Sequence, residues 1–447
     1  MNGFLTKLLE KALSLDDGNN FWDFLYFLEK NKLNVEYSNF KDYIESTVLN
    51  DGDLLFYPIL FNLNTGFHFF LLLYLYKDSK GIVTGSIKDE LSFSKYYKLL
   101  FIIYEKLLNS HIQNSINSIG DKFTISINTN DKVKVTLDKD NELKHGLNKL
   151  IQLIREKKCF DLQDNNLYIS ISKDKKCIGN LFIEVLNFEI GKKIINIIDE
   201  LKKHGKTINK IYFCPYGDLS IFPFHAIKSE NGKFLIENFP LSIMPILNVN
   251  KEKIEDLKDA LIIDIDLGSH HERDYKIIQN HIKSNSINLK IVKDPSLDEL
   301  KRLFENSEEN SKKKYLFVHL SAHGAVKFEK DKIKQYIQLK NHELVDLSFL
   351  KNTNTYIDTL ILSSCLLLFS ELKGIGLLDN PLYYLAFNKH ISKMIVAIYK
   401  IGIREAQDFV SSFLKNYISS KSFEDSFQKA CQQLIGERKN DWIFFTR

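Results

Sequence analysis

Residues 315–324 read YLFVHLSAHG and residues 357–365 read IDTLILSSC. Each is an apolar run of strand length that ends in reactive side chains, His323 in the first and Cys365 in the second. Similar runs occur at Ile211–Cys214, Ala260–Ile265, Lys290–Val292 and Met394–Ile398. Helical patterns lie among them. One helix is expected from about His271, another behind the capping box of Ser296 and Glu299, and a third over Leu377–Phe387. Apolar positions 406, 409, 410, 413, 414 and 417 mark a fourth, and 423, 427, 430, 431 and 434 a fifth. Strands separated by helices imply right-handed crossovers, hence a mostly parallel α/β sheet covered on both faces. In such sheets ligands bind beyond the carboxyl ends of the strands. If the strands ending in His323 and Cys365 are parallel neighbours, both residues leave the sheet at one edge, although 42 positions separate them.

That juxtaposition has chemical content. An imidazole beside a thiol is the minimal nucleophile and base, because the ring takes the thiol proton and later returns it to a leaving amine. Gly324 lets backbone approach a substrate carbonyl, so its N–H and that of Cys365 suit an oxyanion hole. A lone cysteine after an apolar strand is usually a small core residue, and His-Gly is usually a turn. The two together, in this order, point to catalysis. Cys159, Cys177, Cys214 and Cys431 lack such a setting and read as structural.

Composition narrows the alternatives. The chain has 447 residues, 44% apolar and 26% charged, enough for two or three domains with real cores. Only 7 prolines and 19 glycines argue against a linker-dominated or disordered protein. A net charge of +4 offers no broad footprint for nucleic acid, and no basic-aromatic patch adequate for direct binding is visible. No CxxC pair exists among the five cysteines, which excludes zinc ribbons and thioredoxin-type motifs. Neighbouring histidines such as His270 and His271 rarely share an ion, so no metal site is expected there. No phosphate-cradling glycine loop appears. The longest apolar stretch, Phe69–Tyr76, has eight residues where a membrane span needs about 20. The expectation is a soluble, cytoplasmic protein with reduced thiols and no membrane contact.

Residues 1–118 read as a helical module that binds a partner or senses a signal, with a dense stripe at Phe21, Trp22, Phe24, Leu25, Phe27 and Leu28 and a second helical run over Tyr96–Ile112. Near residue 120 the period changes to two. Phe123–Ile127 and Val133–Leu137 alternate strictly around an Asn-Thr-Asn-Asp turn, which predicts a hairpin. A helix through Leu147–Ile154, a strand at Leu167–Ile171 and a helix over Ile194–Leu201, stopped by His204-Gly205, follow.

The runs FVHLSAHG and IDTLILSSC, with IYFCPYGDLSIFPFHAI at 211–227 upstream, resemble the CHAT family of caspase-like cysteine peptidases, relatives of caspases and separases. The resemblance covers roughly residues 120–447. It includes Pro215, Gly217, Leu219, Pro223 and Phe224, the strand NFPLSIMPIL, Gly374 and Gly376, the strand MIVAIY, and Trp442. It implies a pseudo-protease half at 119–255 buttressing an active half at 256–447, with His323 as general base and Cys365 as nucleophile. It also implies a protein substrate, an activating partner, and a role in bacterial defence or regulated cell death. No metal or organic cofactor is called for. The chain departs from the family pattern in two places. Leu366–Phe369 follows Cys365 where a small residue and glycine are usual, and Tyr399–Arg404 lacks an acid. Asp264, Asp266 and Glu272 are therefore the candidates for substrate-specificity contacts. The long, charged Val326–Val345 segment is expected to be a mobile loop that holds the peptidase inactive. These departures also motivate a second reading, a catalytically inactive scaffold acting through protein–protein contacts.

Overall fold

The computed structural model describes residues 7, 10–15, 20–33, 39–62, 68–90, 117–118, 123–128, 132–137, 160–163, 166–170, 190–216, 219, 224–229, 231–244, 257–265, 274–282, 287–304, 314–329, 332–364, 390–397, 403–420, 422–434 and 442–446. The helices expected at 96–112, 147–154 and 377–387 lie outside these residues.

Helix α1 (Phe21–Leu33) buries Phe21, Phe24, Leu25 and Leu28, the helical spacing read from the sequence. A short helical segment, Phe40–Val48, follows it. The helical reading of the first module does not hold over residues 53–62, 68–78 and 81–90. Strands β1 (Asp53–Asn62), β2 (His68–Asp78) and β3 (Gly81–Glu90) form an antiparallel meander. For β1 and β2 the cause is burial on both faces. Leu54, Phe56, Phe70 and Leu72 enter the main core, while Leu55, Tyr57, Leu71, Leu73 and Leu75 pack under α1. A strand buried on both sides reads as a continuous apolar run and loses its period of two.

Residues 117–170 supply β4 (Asn117–Ser118), β5 (Phe123–Asn128), β6 (Lys132–Leu137), β7 (Phe160–Gln163) and β8 (Asn166–Ser170), a separate antiparallel sheet containing the expected hairpin. Helix α2 (Lys192–Lys203) buries Ile194, Ile195, Ile197, Ile198 and Leu201 and ends where Gly205 takes a φ of +72°. Strand β9 (Lys210–Phe213) then pairs in parallel with β1, and β10 (Leu241–Ile243) with β9. The result is a five-stranded sheet of order β10-β9-β1-β2-β3, whose hydrogen bonding joins residues 53–62 to residues 210–213.

The second half builds the expected sheet. Strands β11 (Asp259–Asp264), β12 (Asn288–Lys293), β13 (Lys314–Ser321), β17 (Tyr356–Ser363) and β18 (Ile391–Ala397) are parallel, and β19 (Trp442–Thr446) closes the edge antiparallel, in the order β12-β11-β13-β17-β18-β19. Helices α3 (Asp274–Ile282), α4 (Leu297–Phe304), α5 (Ile403–Ser420) and α6 (Phe423–Gln433) flank it. The capping box at α4 is present, with Ser296 N–H donating to Glu299 at 2.9 Å and Glu299 N–H donating to Ser296 at 3.3 Å. The segment expected as a mobile loop is instead ordered as β14 (His323–Glu329), β15 (Lys332–Gln338) and β16 (Leu344–Asp346), a three-stranded antiparallel sheet. Its charged residues alternate with apolar ones, as at Lys332-Ile-Lys-Gln-Tyr-Ile337, which suits a strand with one wet face.

One continuous core links the two large sheets. Phe213 of β9 stacks between Phe56 and Phe224, with centroids at 5.4 and 4.6 Å. A polar link reinforces the junction: Lys210 of β9 meets Glu424 of α6 at 2.6 Å, and Ser242 of β10 donates to the same carboxylate at 3.0 Å. Burial pushes the Glu424 carboxyl up, but the Lys210 charge and the hydrogen bonds outweigh burial and hold it below its usual range. A carboxylate depressed in the folded state stabilises above its unfolded pKa and loses that contribution as pH falls through its folded value. Urea unfolding from neutral pH down to about pH 3 should therefore show a steeper acid loss in wild type than in Glu424→Gln. Parallel pH dependences would remove the ion pair from any role in joining the halves.

Candidate active site

The strand order contains one reversal. From β11 the chain moves outward to β12, then crosses back over β11 to β13 and continues through β17 to β18. Right-handed crossovers in opposite directions place their connections on opposite faces. Consistent with this, α3 packs with α5, while α4 packs with the turn at Leu347–Asn352. The crevice of such a switch point opens outside the carboxyl ends of the strands, here β11 and β13.

The residues at that edge are polar. Asp264, Ser321 and Ser363 stand in register across β11, β13 and β17, so the three share one row and one face of the sheet. Asp264 is 4% and Ser363 7% exposed. One row below, Ile262, His319 and Ile361 are in register on the same face. His319 is fully buried, and its Nε2 shares a hydrogen bond of 2.8 Å with Ser363 Oγ across the strands. Beyond the row the ladder ends: Ala322 leaves the strand and His323, solvent-exposed, begins β14 opposite Gln338. Gly324 follows on the same strand, partly exposed. On β17 the chain continues to Ser364, 1% exposed, whose Oγ has no hydrogen-bond partner among the described residues.

Thus the expected parallel adjacency of the two strands is present, with Ser321 level with Ser363. Cys365 follows Ser364 in sequence and lies outside the described residues, as do Asp266, His270, His271 and Glu272. Asp264, an expected specificity residue, closes β11 at the switch point. Cys214 and Cys431 are buried, as structural cysteines should be, and Cys159 and Cys177 lie outside the described residues. Among the described residues no group of three potential metal ligands occurs, and no helix is long and apolar enough to cross a membrane. The cross-strand pair of His319 and Ser363 went unread in the sequence. Its signal was a histidine set inside an otherwise apolar strand, next to a parallel strand ending in serine.

The sequence model of the CHAT domain matches residues 181–444, more than half of the chain, and the chain belongs to that family. Comparison with curated proteins gives no match. Two crystal structures of the Saccharomyces cerevisiae separase–securin complex resemble it. One is 13% identical with a TM-score of 0.48, covering 98% of this chain and 32% of that one. The other is 12% identical with a TM-score of 0.43, covering 99% and 33%. A structure described as a protease is 11% identical with a TM-score of 0.38, covering 58% of this chain and 68% of that one. The chain spans about a third of the length of the separase chains it matches.

The two histidines of β13 and β14 differ in what they hold together. His323→Ala, at an exposed position, is expected to change unfolding free energy by less than about 0.5 kcal/mol. His319→Ala leaves a cavity and breaks a buried hydrogen bond, and should cost about 2–4 kcal/mol in urea unfolding. Equal losses in the two variants would contradict the burial assigned to each ring.

Proposed function

We propose that the protein is a cysteine endopeptidase of the caspase-like type, with Cys365 as nucleophile and His323 as general base. The observation that supports it best is the register of Ser321 against Ser363 at the carboxyl edge of the switch point, two residues short of His323 and Cys365. The exposure of His323 agrees with this reading, since a general base must be reachable by substrate. Cys365 Sγ gives its proton to His323 and attacks the scissile carbonyl. The N–H groups of Gly324 and Cys365 stabilise the oxyanion. The tetrahedral species collapses as His323 protonates the leaving amine, which leaves a thioester. Water, deprotonated by the same imidazole, then releases the acid and restores the thiol.

Asp264, the last residue of β11 at the switch point, is assigned the preference for a basic residue next to the cleaved bond. Asp266 and Glu272 follow it in sequence and are the further candidates for that contact. The N-terminal helices, outermost on the first sheet, receive an activating protein partner, in a defence or cell-death response. The leucine run behind Cys365 supports the competing scaffold reading, in which the thiol is never presented to a substrate.

Cys365→Ala and His323→Ala should each abolish cleavage of a co-expressed substrate, read by mass spectrometry of the products. Cleavage persisting in either variant sinks the dyad. A thiol-reactive peptide probe separates the two readings, because labelling at Cys365 requires the enzyme and inertness with the partner present requires the scaffold. Asp264→Asn should lower kcat/KM for substrates with Arg or Lys at the cleaved bond by tenfold or more, on the order of 1.4 kcal/mol of transition-state binding. An unchanged preference would remove Asp264 from the specificity wall.

A further inference from the structure

We infer that His319 is a positioning residue, which acts through Ser363 to fix the strand tip that carries Cys365. The inference rests on the reading of Cys365 as the nucleophile. His319 is wholly buried between β11 and β17, and its neighbours in register are Ile262 and Ile361. A third aliphatic side chain would fill that row without desolvating an imidazole. Replacing a buried hydrogen-bonded pair by apolar groups of similar shape is often neutral for stability. Stability alone therefore gives no reason for the histidine here, whereas its geometry does.

The backbone ladder between β13 and β17 ends at Ser321 and Ser363. Past this row one chain turns into β14 and the other proceeds to Ser364, so the strand pairing no longer restrains them relative to each other. The bond of 2.8 Å from His319 Nε2 to Ser363 Oγ runs diagonally across the strands and ties the last residue of β17 to the interior of β13. A tie at this point limits twist and sliding of the β17 terminus against β13. A displacement of about 1 Å between reacting groups costs on the order of a hundredfold in rate, so such a restraint has catalytic weight. Asp264 stands on the same face across β13, on the side away from Ser363.

The test is the pH dependence of Cys365 alkylation by iodoacetamide in the full-length protein, read by mass spectrometry of the peptide containing residue 365. It needs neither substrate nor activating partner. Thermal unfolding is measured alongside. Four variants are compared: His323→Ala, Ser363→Ala, His319→Phe and His319→Gln. A thiol paired with an imidazole titrates below the free value of about 8.5, and loss of the pairing returns it toward that value. Ser363→Ala and His319→Phe should raise the midpoint and slow alkylation at neutral pH by roughly tenfold. His319→Gln, whose amide nitrogen reaches Ser363, should recover most of the rate. A packing role alone would give the opposite order, with Phe tolerated better than Gln and the Cys365 midpoint unmoved. If His323→Ala shifts the midpoint while Ser363→Ala and His319→Phe do not, the positioning role is overturned and the nucleophile stands. If the wild-type thiol titrates as a free one and His323→Ala changes nothing, both fall together.

Discussion

Parallel pairing of β13 with β17 sets Ser321 level with Ser363, and every relation at the candidate site derives from that register. A slip by one residue would turn the side chains of a whole strand to the other face. The apolar rows below prevent it. Phe317, Val318, Leu320, Ile357, Leu360, Ile361 and Leu362 are buried to within a few per cent, and both faces of the sheet are filled. The core thus fixes the register, the register fixes the polar row, and the polar row fixes where the two chains leave the sheet.

Polar groups gather at both ends of this sheet, with different consequences. Near the amino end, Lys393 of β18 binds both carboxylate oxygens of Asp358 at 2.8 and 3.0 Å, and Tyr417 of α5 donates to the same group. Burial, followed by the Asp358 charge, pushes the Tyr417 hydroxyl well above its usual value, so it stays protonated as a donor. Every charge there is answered within the cluster, which anchors α5 to the sheet. At the carboxyl end Asp264, Ser321 and Ser363 share one polar row, with Asp264 and Ser363 buried, and the exposed His323 begins just beyond it. One end anchors a helix to the sheet, and the other sets a polar row at the edge of the crevice.

Much of the second half was legible because its elements announce themselves singly. The runs at 260–265, 315–320 and 357–362 are too short for helices, and the helices α5 and α6 keep their apolar spacing over whole turns. The order of residues around His323 and Cys365 carried the family. Two features resisted. Strands β1 and β2 hide their period because both faces are buried, so Phe69–Tyr76 looks the same as a buried helix. Residues 326–345 look like a loop because charge dominates the composition, although the alternation of a half-wet hairpin is present. The link from His319 to Ser363 belongs to neither group. It depends on which strands are neighbours, and no local pattern carries that information.

The strand pairing also changes what the first residues contribute. A module ending at 118 would be separable if its core were its own. Instead β1 hydrogen-bonds to β9, and Leu54, Phe56, Phe70 and Leu72 lie in the same core as Phe213 and Phe224. Cutting the chain there would strip β9 of one neighbour and open the apolar face on which α2 and Phe224 pack. Even the layer beneath α1, where Phe21, Phe24, Leu25 and Leu28 pack with Tyr57, takes in Tyr212, Cys214, Tyr216 and Met244 from the later residues. There Tyr57 donates to the buried Glu29 carboxylate, so even this layer is tied to β1 by a polar bond as well as by packing. A contact made on α1 therefore reaches a sheet whose other face shares its core with the second half of the chain.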